Sequence, residues 1–135
     1  MQPIRTYIFL LFLLVGQTAK SQDVIGVTLQ FEHLETSNGY ILLLIQEEGG
    51  KDVSKLVLPI HNKAAEKTIE LAAGKYGFSA YHDVNSNEKL DLNLFGAPTE
   101  PYGFSNNARG TFSKPSFSET LVDISKNRII KFKLE

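Results

Sequence analysis

Ile25, Val27, Leu29 and Phe31 occupy one side of a strict two-residue period, with Gly26, Thr28, Gln30 and Glu32 on the other. A period of two sends alternate side chains to opposite faces of an extended chain, so this stretch reads as a half-buried strand. The alternation returns at Leu56, Leu58 and Ile60, at Tyr76, Phe78 and Ala80, and at Ile130, Phe132 and Leu134 between Lys131 and Lys133. No sustained helical period competes with it beyond residue 21, and residues 64–73, with Thr68 and Ile69 before a glycine, favour a strand over a short helix.

Turn residues separate these stretches. Asn38-Gly39 precedes the unbroken apolar run YILLLI, residues 40–45, which reads as a central strand covered on both faces. Pro59 lacks an N–H to donate and should confine its strand to an edge. Ala73-Gly74-Lys75 marks one hairpin, and Ser125-Lys126-Asn127 marks a second that closes the chain. The pattern predicts an all-β chain: an antiparallel β-sandwich of about seven strands, immunoglobulin-like or transthyretin-like, formed by one domain over residues 22–135.

Ahead of this domain lies one cation, Arg5, an apolar run over residues 7–15, and a small, polar ending. That is the layout of a secretory signal peptide over 1–21, with Ala19 and Ser21 as the small residues at the cleavage point. The run falls short of the roughly 20 residues a spanning helix needs, so no permanent membrane anchor is expected. The protein is therefore expected in the periplasm or secreted. The chain has no cysteine, which excludes disulfides and a lipidated cysteine, so the core, alone or with a bound ion, must hold the domain. Cleavage removes Arg5 and Lys20 but no acid, leaving a mildly acidic protein without a basic cluster, and nucleic acid is excluded as a partner.

Periodicity stops between residues 83 and 118, where Gly, Pro, Asn and Ser accumulate together with Phe95, Tyr102, Phe104, Phe112 and Phe117. Aromatics on this scale argue for one long ordered loop rather than disorder. It begins HDVNSNEKLDLNLFG, with Asp83, Asn85, Asn87 and Asp91 at relative positions one, three, five and nine. That spacing wraps oxygen ligands around calcium in EF-hand-type loops, with the backbone carbonyl of Lys89 at position seven. Glu88 stands where such loops need glycine, and Leu94 where they need a bidentate glutamate. Calcium would therefore bind weakly, on the order of the millimolar class, with Glu100 helping to complete the site. The alternative is that the same short acid and amide side chains accept backbone N–H groups as successive Asx-turns.

The block HDVNSNEKLDLNLFGAPTEPYGFSNNARGTF, with AAGKYGFSAY before it, resembles the bacterial secreted family known as domain of unknown function 2141. The resemblance covers nearly the whole of residues 22–135 and implies an exported bacterial β-sandwich with no established activity. The family typically carries a glycine after the second Asn and a Gly-Pro-Pro-Ser-Phe segment; here Glu88 and Ser113-Lys114-Pro115-Ser116-Phe117 stand instead.

Within GFSNNARG, Asn106, Asn107 and Arg109 suit a ligand carboxylate or a sugar, with Tyr102 and Phe104 as a stacking platform; alternatively, Arg109 pairs with Asp83, Asp91 or Glu100 and locks the loop to itself. His33, His61 and His82 fall in three separate segments and read as surface or strand-edge residues, His82 beside Asp83 being the one candidate metal ligand. No nucleophile elbow, phosphate loop or His-Glu-x-x-His pair is present, and no catalytic residue is assigned. Two function classes follow. One is a non-catalytic binding module for a protein or glycan of the cell envelope. The other is a small enzyme using Asp83, Asp91 or Glu100 as general acid or base.

Overall fold

A computed structural model describes residues 21–135. The expected leader thus lies, except for Ser21, outside the described residues. Among the described residues no helix is long and apolar enough to cross a membrane.

Among the described residues, eight strands form two sheets. They are β1 (Val24–Phe31), β2 (Tyr40–Glu47), β3 (Asp52–Pro59), β4 (Ala65–Ala72), β5 (Gly74–Asp83), β6 (Tyr102–Phe104), β7 (Leu121–Ile124) and β8 (Arg128–Phe132). One sheet runs β4-β1-β8; the other runs β3-β2-β5-β6, with β7 also on β5. The alternation in β1 has the consequence it predicts: Val27, Leu29 and Phe31 are buried against Ile41, Leu43 and Ile45 of β2 and Phe78 and Ala80 of β5 in one core. Phe132 joins the two layers, stacked on Phe31 at 4.6 Å between ring centroids and edge-on to Phe78 at 6.4 Å.

Both expected hairpins are instead crossings between the sheets. β4 pairs with β1 whereas β5 pairs with β2, so the glycine turn at residue 74 carries the chain from one layer to the other. Likewise β7 joins β5 while β8 joins β1. A short turn between two alternating stretches encodes a reversal, and the reversal serves equally well to change layers. The β1–β8 pairing is parallel, from Val27 opposite Arg128 to Phe31 opposite Phe132, in a fold otherwise antiparallel. Pro59 does sit on an edge strand, β3. YILLLI is central within its sheet, but only one of its faces lies in the core; Leu42 and Leu44 face outward and are half-buried.

The segment expected to be one loop contains β6, a 3-10 turn at Ser105–Asn107 and the start of a short helical turn, α1 (Phe117–Thr120). Tyr102 and Phe104 alternate about Gly103, too short a run to register as a strand. What selects Gly103 is the C-terminus: a Cβ there would come within 2.6 Å of the Lys133 carbonyl oxygen. After β8 the chain end pairs with β6, Tyr102 N–H donating to Glu135 O at 3.0 Å and Glu135 N–H to Tyr102 O at 3.1 Å.

Candidate functional site

Strand β5 delivers Asp83 to the mouth of the loop, fully buried. Its Oδ1 accepts the N–H of Asn87 at 3.1 Å and its Oδ2 the N–H of Glu88 at 2.8 Å. Asn85 and Asn87 continue the pattern: Asn85 Oδ1 accepts Asn87 N–H and Asn87 Oδ1 accepts Lys89 N–H. These are successive Asx-turns. Lys89 enters the turn through its N–H. Ser86 and Glu88 both take a left-handed backbone, each with φ of 60°. Position 88 thus has the backbone conformation that glycine accommodates best, although it carries a glutamate.

Asp91 closes the loop from the other side. Asn85 Nδ2 donates to its Oδ2 at 2.6 Å, and Asn87 Nδ2 donates to its Oδ1 at 3.0 Å. Glu100, buried, ties the limbs together: Oε1 accepts Val84 N–H at 3.0 Å and Oε2 accepts Asp91 N–H at 3.1 Å. Every carboxylate oxygen of Asp83, Asp91 and Glu100 therefore accepts an N–H. Asp83, Glu88, Asp91 and Glu100 also lie close enough to Tyr81 to raise the pKa of its hydroxyl, after the larger effect of burial. Among the described residues no lysine or arginine forms an ion pair with these four acids.

Asn85, Asn87 and Asp91 converge on one another. Rotating the two amides would aim oxygen acceptors suited to a hard cation at the same place, in exchange for the bonds those oxygens now accept from the N–H groups of Asn87 and Lys89. Among the described residues no three His, Asp or Glu side chains are grouped to hold a metal by themselves. A cation here would have to draw on amide or backbone oxygens too.

GFSNNARG fastens the loop, with partners other than those anticipated. Arg109 donates to Tyr102 O at 3.1 Å and Lys133 O at 2.9 Å, lies 5.5 Å from the Tyr102 ring centroid, and pairs with Glu135 at 3.7 Å rather than with Asp83, Asp91 or Glu100. Asn106 Nδ2 donates to the carbonyls of Glu119 and Leu121, and Asn107 Oδ1 accepts Lys133 N–H. Tyr102 and Phe104 meet at an interplanar angle of 85°, which is no flat platform for a sugar ring. His82 is buried on β5, with Nε2 2.7 Å from Asn38 O, whereas His33 and His61 are exposed.

Ser105 was not singled out by its sequence context, yet it fills a gap. β6 pairs with β5 from Ser79 to Tyr81 and β7 from Gly74 to Gly77, so Phe78 has no strand partner on that side. Ser105 Oγ accepts Phe78 N–H at 3.0 Å and also reaches the carbonyls of Phe78 and Thr120. Two apolar features were also missed. The tip of the loop holds Leu94 and Phe95 almost completely exposed on a hydrogen-bonded turn around Asn93. The outward face of the larger sheet carries a groove of about 620 Å³. The outward leucines of YILLLI signalled that groove, read as a covered face.

Fold and site together define a two-layer β protein with a carboxylate-knotted loop at one end. The chain belongs to the family described as uncharacterized protein conserved in bacteria, DUF2141, whose model matches residues 29–131. Nothing matches it among curated proteins or among solved structures.

Proposed function

We propose that the protein is an exported, non-catalytic binding module of the bacterial cell envelope, docking a protein partner through the loop tip at Leu94 and Phe95. The observation that carries this reading is the engagement of all six carboxylate oxygens of Asp83, Asp91 and Glu100 by N–H donors. Acids used in this way form the frame of a loop, and moving a proton on any of them would break that frame. This engagement favours the binding reading over the general acid–base alternative. What the framed loop holds out is an adjacent Leu-Phe pair on a rigid turn, and rigid exposed apolar anchors are a feature of binding surfaces. The short apolar leader supports export.

A photo-crosslinking residue at position 94 or 95, in the full chain expressed in cells, tests the reading. A discrete adduct to one envelope protein is expected at both positions, and none from position 67 on the far edge. The same adducts from all three positions, or none from the tip, would overturn it.

A second element of the reading is a weakly held calcium ion at Asp83, Asn85, Asn87 and Asp91. The observation favouring it is the gathering of four acids around Tyr81 without a basic partner among the described residues. A divalent cation would relieve that repulsion. The thermal melts described in the Discussion test it.

A further inference from the structure

The outer face of an antiparallel sandwich normally meets water and is polar. Here the register sets Val57, Leu42, Tyr81 and Tyr102 in one outward row across β3, β2, β5 and β6, and Lys55, Leu44, Ser79 and Phe104 in the next. Two limbs of the long loop wall this floor. Glu88 and Leu90 stand at one end, Pro115 and Phe117 at the other. The Phe117 ring lies over Gly77, where an added Cβ would come within 2.6 Å of it. Between the limbs runs the groove of about 620 Å³.

The polar groups around the groove decide what fits it. Gln46 spends its amide on Gly50 O and Asp52, and the Thr120 hydroxyl donates to Phe117 O. The hydroxyls of Ser79, Tyr81 and Tyr102 remain, too few and too scattered to match a sugar. The floor strands spend their N–H and C=O groups on one another, so an extended peptide finds no backbone partners there. A hydrocarbon chain asks for neither. The charges are also uneven. Glu88 stands at the Tyr81 end beside Asp83, Asp91 and Glu100, whereas Lys114 stands near Phe117; Lys55, on the β3 rim, is already paired with Asp52 at 3.6 Å. An anionic head is repelled from the first end and attracted to the second.

The geometry points to this groove as a binding site for a free fatty acid, its carboxylate held by Lys114 and its chain lying across Phe104, Leu44 and Leu42 toward the β3 edge. The floor crosses four strands at about 4.8 Å spacing, a width of about 14 Å, which an extended dodecanoate chain spans. The site is separate from the Leu94–Phe95 tip and does not depend on the docking proposed for it.

Titration of the ¹⁵N-labelled protein with dodecanoate below its micelle concentration, followed by amide shifts, tests the assignment. Saturable shifts at Leu42, Leu44, Ser79, Tyr81 and Phe104 are expected. Dodecyltrimethylammonium, with the same chain and a cationic head, should bind about tenfold more weakly or worse, and Lys114→Glu should weaken dodecanoate by about as much. Leu44→Gln, on the solvent side of the sheet, should weaken both amphiphiles while leaving the spectrum that of a folded protein. Equal binding of the two heads, insensitivity to Lys114→Glu, or shifts mapping to Leu94 and Phe95 instead of the groove would each overturn the proposal.

Discussion

The Asp83 carboxylate accepts the N–H of Glu88 at 2.8 Å, and Glu88 takes a left-handed backbone with φ of 60° to provide it. A left-handed conformation costs a residue with a Cβ roughly 1–2 kcal/mol. Glycine relieves that cost but loses about 0.4–1 kcal/mol through the freedom it adds to the unfolded chain. Glu88→Gly should therefore stabilise the protein by about 0.5–1 kcal/mol in urea melts. Glu88→Ala keeps the strained backbone and removes only the charge, so it should gain less. A Glu88→Gly variant less stable than wild type would show that the glutamate side chain itself supports the loop.

Calcium should raise the melting temperature. A ligand that binds only the folded state stabilises by RT ln(1 + [L]/Kd), about 1.4 kcal/mol at ten times its dissociation constant. The informative variant is Asp91→Asn. Among the described residues the Asp91 carboxylate accepts only from the exposed side-chain amides of Asn85 and Asn87, so the new amide can turn its nitrogen toward water, and the Asx-turn bonds to backbone N–H groups survive while a charge is lost. Asp83→Asn has no such freedom, because one amide nitrogen would face the N–H of Asn87 or Glu88, and it should cost about 1–3 kcal/mol without any ion. Identical melts in millimolar calcium and in chelator would remove the ion from the account.

Leu43 on β2 and Phe78 on β5 belong to the same sheet, both point into the core toward the other layer, and are 2% and 1% exposed. Replacing either with alanine leaves a cavity and should cost about 2–5 kcal/mol. Losses below about 1 kcal/mol for both would mean that the core collapses around the missing atoms far more readily than a packed interior does.

At α1, Ser116 donates both its N–H and its hydroxyl to the Glu119 carboxylate. The hydroxyl bond first, then the backbone bond, lowers the Glu119 pKa from its ordinary value. A lowered folded-state pKa gives stability that is present above the ordinary carboxylate range and is lost as pH falls through the lowered value. Glu119→Gln should therefore be less stable than wild type at neutral pH, and the gap should close in acid melts. A gap independent of pH would mean that the cap does not depend on charge.

How much of this was legible follows from what a local pattern encodes. The alternation at Val27, Leu29 and Phe31 reports burial on one face, and the core follows from it directly. The turn at Gly74 reports only that the chain reverses, so whether β5 returns beside β4 or crosses to the other sheet is decided by packing among distant strands. The parallel seat of β8 beside β1 is of the same kind. At the loop, the spacing of Asp83, Asn85, Asn87 and Asp91 announced an oxygen-rich turn. It did not announce Arg109's partners, since two of these are backbone carbonyls at Tyr102 and Lys133, and the third, Glu135, lies at the chain's end. Carbonyls carry no sequence signature.

Ser105 shows the same limit in a single hydroxyl and gives the last prediction. Between the reach of β6 and that of β7, the N–H of Phe78 points at a place where no strand runs, and Ser105 Oγ takes it at 3.0 Å while also reaching Thr120 O. Ser105→Ala leaves that N–H buried without a partner, and an unsatisfied buried group costs about 1–3 kcal/mol. Ser105→Cys, nearly isosteric but a weak acceptor, should recover only part of the loss. The readout specific to the gap is hydrogen exchange: the Phe78 amide should lose more protection in Ser105→Ala than the Ala80 amide, which keeps its place in the sheet. Equal loss at both amides would mean that the serine supports the sheet globally instead of bridging this gap.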